Sequence, residues 1–307
     1  MRARLLAAFA AVYVIWGSTY LAIRFAVETL PPLLMAGARF TIAGLLLLFW
    51  SRFVQHAERP SRTDWRTGLM SGALLLLGGN GAVVWAETRV PSGIAALLVA
   101  VVPLWMVLLD WLRPGGRRPV ALVFVGLALG LVGLGLLVGP DSLHGGSAVN
   151  AIGALVLMAG SLSWAIGSLL TKQAPRATTS INGSGTQMFA GGLCLLVAGT
   201  LVGEIAQLDL SHVTGRSFLG FLYLVVFGSL IGFTAYFYLL SHTTAAKAAT
   251  YAYVNPVVAV LLGWAFAHEP LTMRTMLAAA VILAGVAIIT VARDGRVSPQ
   301  VERRAAA

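Results

Sequence analysis

Residues 91–112 read PSGIAALLVAVVPLWMVLLDWL, a stretch with no charge between Ser92 and Leu109. A run of about 20 mostly apolar residues is the length of helix that crosses the hydrocarbon core of a bilayer. Nine more stretches of this character surround it, at 5–27, 32–51, 67–87, 119–139, 148–172, 180–203, 216–240, 246–267 and 271–292. Their connections are short and marked by Pro, Gly and charge, as in Arg113-Pro114-Gly115-Gly116-Arg117-Arg118, which leaves no room for a soluble domain. The pattern predicts an all-α integral membrane protein with ten transmembrane helices. The first stretch follows Arg2 and Arg4 like a signal peptide, but its apolar run is too long, so a retained helix is expected.

Composition excludes most other classes. Of 307 residues 58% are hydrophobic and 10% charged, with a mean hydropathy of +0.87. A water-soluble enzyme would need far more polar surface. The net charge of +10 comes from short arginine clusters between apolar runs, so no nucleic-acid partner is expected. Cys194 is the single cysteine, which rules out a disulfide framework. The chain lacks a GxxxxGK[ST] phosphate loop and an HExxH motif, and Asp110 is the one acid near a membrane interior that an aspartyl protease could use. Neither an enzyme nor a cofactor or metal is expected.

The basic residues set the orientation. With a cytoplasmic N-terminus, sixteen Lys and Arg fall inside and four outside (Arg24, Arg89, Arg216, Arg274), with Arg39 within the second span. A bias of that size places both termini in the cytoplasm. The two halves also resemble each other. A shift of 153 sets Gly79 on Gly232, Pro103 on Pro256 and Trp111 on Trp264; nearby shifts set Gly133 on Gly285 and Trp16 on Trp164. Five spans per half is an odd number, so the second copy starts from the opposite face. The organisation expected is therefore two inverted five-helix repeats, 1–142 and 143–295, followed by a cytoplasmic tail, 296–307. Such repeats characterise alternating-access carriers.

Trp16-Gly17-Ser18-Thr19-Tyr20, Pro91-Ser92-Gly93-Ile94-Ala95-Ala96, Tyr251-Ala252-Tyr253-Val254-Asn255-Pro256-Val257 and the Glu269-Pro270-Leu271 turn together resemble the EamA-type members of the drug/metabolite transporter superfamily. The resemblance runs from Arg4 to Val291. It implies a carrier in the bacterial inner membrane that exports amino acids or other small metabolites, most similar to aromatic amino-acid exporters of the YddG type. A multidrug or nucleotide-precursor exporter is the alternative within transport; a lipid scramblase or membrane assembly protein is the alternative from another class. A first-helix glutamate of the small multidrug type is missing, since the first acid is Glu28.

Polar groups within the hydrocarbon need a partner or a function. Lys247, Tyr251 and Asn255 recur at i, i+4 and i+8, on one helical face, where they could meet a carboxylate or hydrogen-bond a ligand. Lys247, at the cytoplasmic start, could equally snorkel to water. Asn80, in Gly78-Gly79-Asn80-Gly81, offers an amide where glycines permit close approach. Trp16 and Tyr20 share a face; with Trp105 and Trp164 they occupy spans that, by the resemblance, line the centre. These residues make up the expected substrate site. Pro103 and Pro256 correspond under the repeat and are candidate gating kinks. Arg39 is read as a structural or outer-gate residue partnered by Glu28 or Glu87. The pairs Gly68/Gly72, Gly126/Gly130, Gly135/Gly139 and Gly228/Gly232 are read as helix-packing contacts.

Overall fold

The computed structural model describes residues 2–112, 120–138, 150–173, 180–243, 248 and 250–294, and among these no strand occurs. The chain runs back and forth as α1 (Arg2–Ala11, then Val12–Trp16 and Gly17–Ala26), α2 (Pro32–Phe53), α3 (Arg62–Gly72, Ala73–Asn80, Gly81–Ala86), α4 (Ser92–Val99 and Val102–Leu112) and α5 (Ala121–Val138). It continues as α6 (Ala151–Gln173), α7 (Ser180–Leu201), α8 (Gly215–Tyr223, Leu224–Phe233, Thr234–His242), α9 (Tyr251–Ala267) and α10 (Met273–Asp294). Seven of these are long and apolar enough to cross a membrane, while α5, α9 and α10 carry shorter apolar runs, Ala121–Gly130, Val254–Ala267 and Met273–Gly285.

Local chemistry sets the ends. Ser61 and Asp64 form a reciprocal capping box, so α3 begins at Arg62 instead of residue 67. Pro32 opens α2, where a missing N–H costs nothing. Thr214 accepts a hydrogen bond from Ser217 N and starts α8.

The middles of α1, α3 and α8 are wound as π-helix, at Val12–Trp16, Ala73–Asn80 and Leu224–Phe233. Looser winding frees carbonyls from the ladder, and π segments concentrate at functional sites. Two carbonyls within these segments accept from another helix: Trp16 Nε1 donates to Gly228 O at 3.2 Å, and Ser163 Oγ donates to Leu74 O at 2.8 Å.

The proline expectation needs a correction. Near Pro103 the chain does not bend as one helix; α4 stops at Val99, turns through Ala100 and Val101 and restarts at Val102. Pro256, in contrast, lies inside an unbroken α9. The glycine expectation also needs one: a side chain at Gly135 would meet nothing within 4 Å, so that position is no helix contact, whereas Gly68 and Gly72 abut Thr186, Gln187 and Gly191 of α7.

The packing is by pairs. Helix α2 lies along α7 and α5 along α10; α3 packs on α6 and α8 on α1; α9 sits against the Ser92–Val99 part of α4 and the Gly17–Ala26 part of α1. Both parts of α4, Ser92–Val99 and Val102–Leu112, also pack on α6. At one end of the bundle two carboxylates cross between elements. Glu204 accepts from Leu33 N and Leu34 N at the start of α2, at 3.2 and 2.8 Å. Glu269 accepts from Ser92 N, Ser92 Oγ and Gly93 N at the start of α4, at 2.7, 2.8 and 3.1 Å. Each carboxylate occupies the positive end of a helix dipole and satisfies N–H groups that have no partner within the helix.

Candidate functional site

A narrow cavity of about 60 Å3 lies where α1, α2, α3, α4, α6, α8 and α9 converge. Trp16, Tyr20, Asn80, Trp164, Tyr251 and Asn255 all line it, together with Thr19, Arg39, Ser161 and Phe233.

Trp16 is the hub of the wall. Its ring makes edge contacts with Trp164 at 5.6 Å, Phe233 at 5.1 Å and Tyr251 at 5.2 Å, and lies tilted on Tyr236 at 4.9 Å. Such pairs add roughly 0.5 to 1.5 kcal/mol each beyond area burial. Two glycines make the arrangement possible. A methyl group at Gly232 would overlap the indole of Trp16, and one at Gly79 would come within 2.8 Å of Trp164 Cε3.

Against this apolar wall stand two polar atoms without partners. Asn80 Oδ1 and one guanidinium nitrogen of Arg39, Nη1, are buried and have no hydrogen-bond partner, while Trp164 Nε1 interacts with the hydroxyls of Tyr236 and Tyr251. A buried polar group left without a partner costs about 1–3 kcal/mol, so Asn80 Oδ1 and Arg39 Nη1 form docking points for a polar ligand, one acceptor and one donor.

The other expected residues fall elsewhere. Trp105 does not reach the cavity; its Nε1 donates to Ser161 Oγ at 2.9 Å and its ring packs with Val102, Met106 and Ala165. Asn255 does line the cavity, but its amide bridges two helices: turned to satisfy both partners, it donates to Tyr13 O at 3.0 Å and Tyr251 O at 3.2 Å. Lys247 lies outside the described residues. Arg39 is not partnered by Glu28, which faces Arg216 at 3.7 Å. Its Nε instead donates to Ser229 Oγ at 2.9 Å.

The profile of the EamA-like transporter family matches residues 3–139 and, separately, residues 151–291. The chain belongs to that family. The "Uncharacterized inner membrane transporter YedA" of Escherichia coli (strain K12) is 42% identical over 290 residues, covering 94% of this chain and 91% of YedA. "Protein PecM" of Dickeya dadantii (strain 3937) is 27% identical over 280 residues, 90% of this chain and 88% of PecM. A solved crystal structure superimposes with a TM-score of 0.66 at 21% identity, over 96% of this chain and 99% of the other, a likeness of fold.

In this EamA-family chain the sequence reading did not place Arg39, Thr19 and Ser161 at the cavity. Helix α2 is apolar on every side, so no periodicity says which way Arg39 points. Thr19 and Ser161 bond back to their own helices, at Trp16 O (2.7 Å) and Met158 O (2.8 Å), as such hydroxyls do anywhere in a membrane helix.

Proposed function

We propose that this EamA-family transporter is a secondary carrier of the bacterial inner membrane that exports amino acids, aromatic ones among them as in the YddG type, by alternating access. The observation that carries the reading is the cavity: aromatic walls formed by Trp16, Trp164 and Tyr251, with unpartnered Asn80 Oδ1 beside them. An ammonium can donate to the amide oxygen, and rings can hold an apolar or aromatic side chain.

The architecture proposed is ten spans as two inverted repeats, 1–142 and 143–295, with the tail 296–307 and both termini cytoplasmic. Several observations support it. The helix pairings exchange with one another when each helix is advanced by five: α3 on α6 becomes α8 on α1, while α2 with α7, α4 with α9 and α5 with α10 map onto themselves. The π segments of α3 and α8 fall at corresponding places, and Gly79 abuts Trp164 as Gly232 abuts Trp16. The break before Pro103 and the proline within α9 are the candidate gates of the two halves.

Reconstitution tests the activity. Proteoliposomes should show saturable, counterflow-stimulated uptake of labelled L-phenylalanine or another amino acid in a panel. Asn80→Ala should weaken half-saturation about two- to tenfold, the value of one hydrogen bond, with membrane levels unchanged. Movement of labelled lipid without amino-acid flux would mean a scramblase; flux of nucleotide precursors or cationic drugs alone would mean the other branch of the superfamily.

The orientation has its own check. On a Cys194→Ala background, Ser211→Cys should react with an impermeant thiol reagent applied outside the cell, and Ser61→Cys should not. Reversed labelling would invert the topology.

A further inference from the structure

Away from the central cavity, where α2 ends and α3 begins, a groove of about 350 Å3 is lined by Leu48, Arg52 and Phe53 of α2, by Glu58 and Arg59 of the connection and by Trp65 of α3. That volume falls in the range of small-molecule sites. Its base is fixed by α7. Asn182, 2% exposed, also lines the groove and donates Nδ2 to Glu58 O at 2.9 Å, which ties the connection down onto α7. The Trp65 ring meets Phe189 of α7 edge-on at 5.8 Å, and a methyl group at Gly185 of α7 would meet Leu48 Cγ at 2.9 Å.

The charges in the groove are uncommitted. Among the described residues neither Arg52 nor Arg59 forms an ion pair, although the Glu58 side chain stands in the same groove. The other acid of this segment, Asp64, is spent on Ser61 N and Ser61 Oγ in the capping box of α3. Residues 52–66 therefore carry four arginines (Arg52, Arg59, Arg62, Arg66) against Glu58 and the committed Asp64. The flank is apolar: Phe49, Trp50 and Phe53 of α2 and Leu69 of α3 are exposed, a surface suited to acyl chains. Tryptophan and arginine at the end of a spanning helix mark the boundary between hydrocarbon and water. Lipid phosphates lie at that level.

We propose that this groove binds one anionic phospholipid, phosphatidylglycerol. Its phosphodiester sits on Arg52 and Arg59, a glycerol hydroxyl donates to the Glu58 carboxylate, and its acyl chains run along Phe49 and Phe53. Guanidinium forks match phosphate oxygens in pairs, and basic clusters beside spanning helices attract anionic lipids. The carboxylate opposes a bare phosphate and favours a headgroup that brings hydroxyl donors. The surplus of arginine favours a lipid of net negative charge over a zwitterionic one. The site goes beyond the carrier reading, since groove and cavity share no lining residue.

Native mass spectrometry of the detergent-purified full-length protein tests this, with phosphatidylglycerol, phosphatidylethanolamine and phosphatidylcholine of identical acyl chains as probes. The first phosphatidylglycerol should bind at least about tenfold tighter than the first phosphatidylcholine, and Arg52→Gln or Arg59→Gln should each remove about tenfold, the value of one charge-assisted hydrogen bond. Arg62→Gln removes the same charge from the same end without touching the groove, and should cost far less. Glycerol 1-phosphate, the headgroup without chains, should compete only at much higher concentration. Equal binding of phosphatidylglycerol and phosphatidylcholine, or equal losses from Arg59→Gln and Arg62→Gln, would overturn the site in favour of diffuse surface attraction. Tight competition by glycerol 1-phosphate would make it a site for a soluble phosphate and overturn the lipid assignment. Tighter binding of phosphatidylethanolamine, abolished by Glu58→Gln, would overturn the choice of headgroup. Each of these failures leaves amino-acid counterflow, and with it the carrier reading, untouched.

Discussion

Adding one methyl group at Gly232 or at Gly79 is expected to cut transport at least tenfold while the protein still reaches the membrane. At Gly232 the new carbon would overlap Trp16, and at Gly79 it would crowd Trp164. Trp16 is hemmed in by Trp164, Phe233, Tyr236 and Tyr251, so the displaced indoles are driven into the cavity that they line. Overpacking of this kind costs about 1–3 kcal/mol, which a bundle of this size can absorb in stability. The cavity wall cannot absorb it in geometry, since the displaced indoles are the wall. The helix itself should gain slightly, because Ala is the better helix former by about 1 kcal/mol. Gly135→Ala is the control: nothing lies within 4 Å of the added carbon, so flux should match the unmodified protein. Counterflow in proteoliposomes, normalised to the amount of protein, is the measurement. Normal flux in both Gly79→Ala and Gly232→Ala would mean that the two tryptophans move freely during transport and that the wall lies elsewhere.

These glycines illustrate what could be read from the chain and what could not. Their correspondence at a shift of 153 was visible, because a duplication leaves a sequence offset. Their partners, Trp164 and Trp16, were not visible as such, because contact between α3 and α6, or α8 and α1, depends on a packing that no periodicity encodes. The helices were legible for a physical reason: a spanning segment must be apolar for about 20 residues whatever it packs against. That same requirement erases the information about faces, which is why Arg39 could be noticed as costly yet not aimed at the cavity, and why Trp105 seemed a wall residue when its indole serves Ser161. The π segments had only a weak signal. Gly78, Gly79 and Gly81 around Asn80, and Gly228 with Gly232, are poor helix formers, but glycine is common wherever membrane helices touch. Glu269 was noticed as part of a turn; that its carboxylate caps the start of α4 is a matter of tertiary structure.

That contact leads to the second large effect. Glu269→Ala should shift the carrier toward the state open at the end of the bundle that carries this turn. The carboxylate makes three hydrogen bonds to Ser92 and Gly93, and through them α9 holds the Ser92–Val99 part of α4. Both parts of α4 pack on α6, and the chain between the two is interrupted at Ala100 and Val101, just before Pro103. The Ser92–Val99 part also packs on α9, α6 and α1, so losing the carboxylate removes the polar tie at its start while the apolar packing remains to resist a swing about the break. Hydrogen bonds to a charged group are worth about 1.5–3 kcal/mol each, and part of that returns when water solvates the freed N–H groups. A net loss of about 2 to 4 kcal/mol changes a two-state ratio roughly 30- to 1000-fold. The readout is a cysteine in the cavity, Thr19→Cys on the Cys194→Ala background, labelled by an impermeant thiol reagent from the side of the Glu269 turn. Its labelling rate should rise more than tenfold with Glu269→Ala and by less with Glu269→Gln, which keeps one acceptor oxygen. Flux should fall in step, because a carrier held in one state completes few cycles. Pro103→Ala tests the hinge from the other direction: by restoring a helical donor it should join the two parts of α4, reduce labelling in the Glu269→Ala background and slow flux further. Unchanged labelling in Glu269→Ala with normal flux would mean that the seal at this end is made by the apolar packing of α9 on α1 and α4, with the carboxylate serving only to cap a helix.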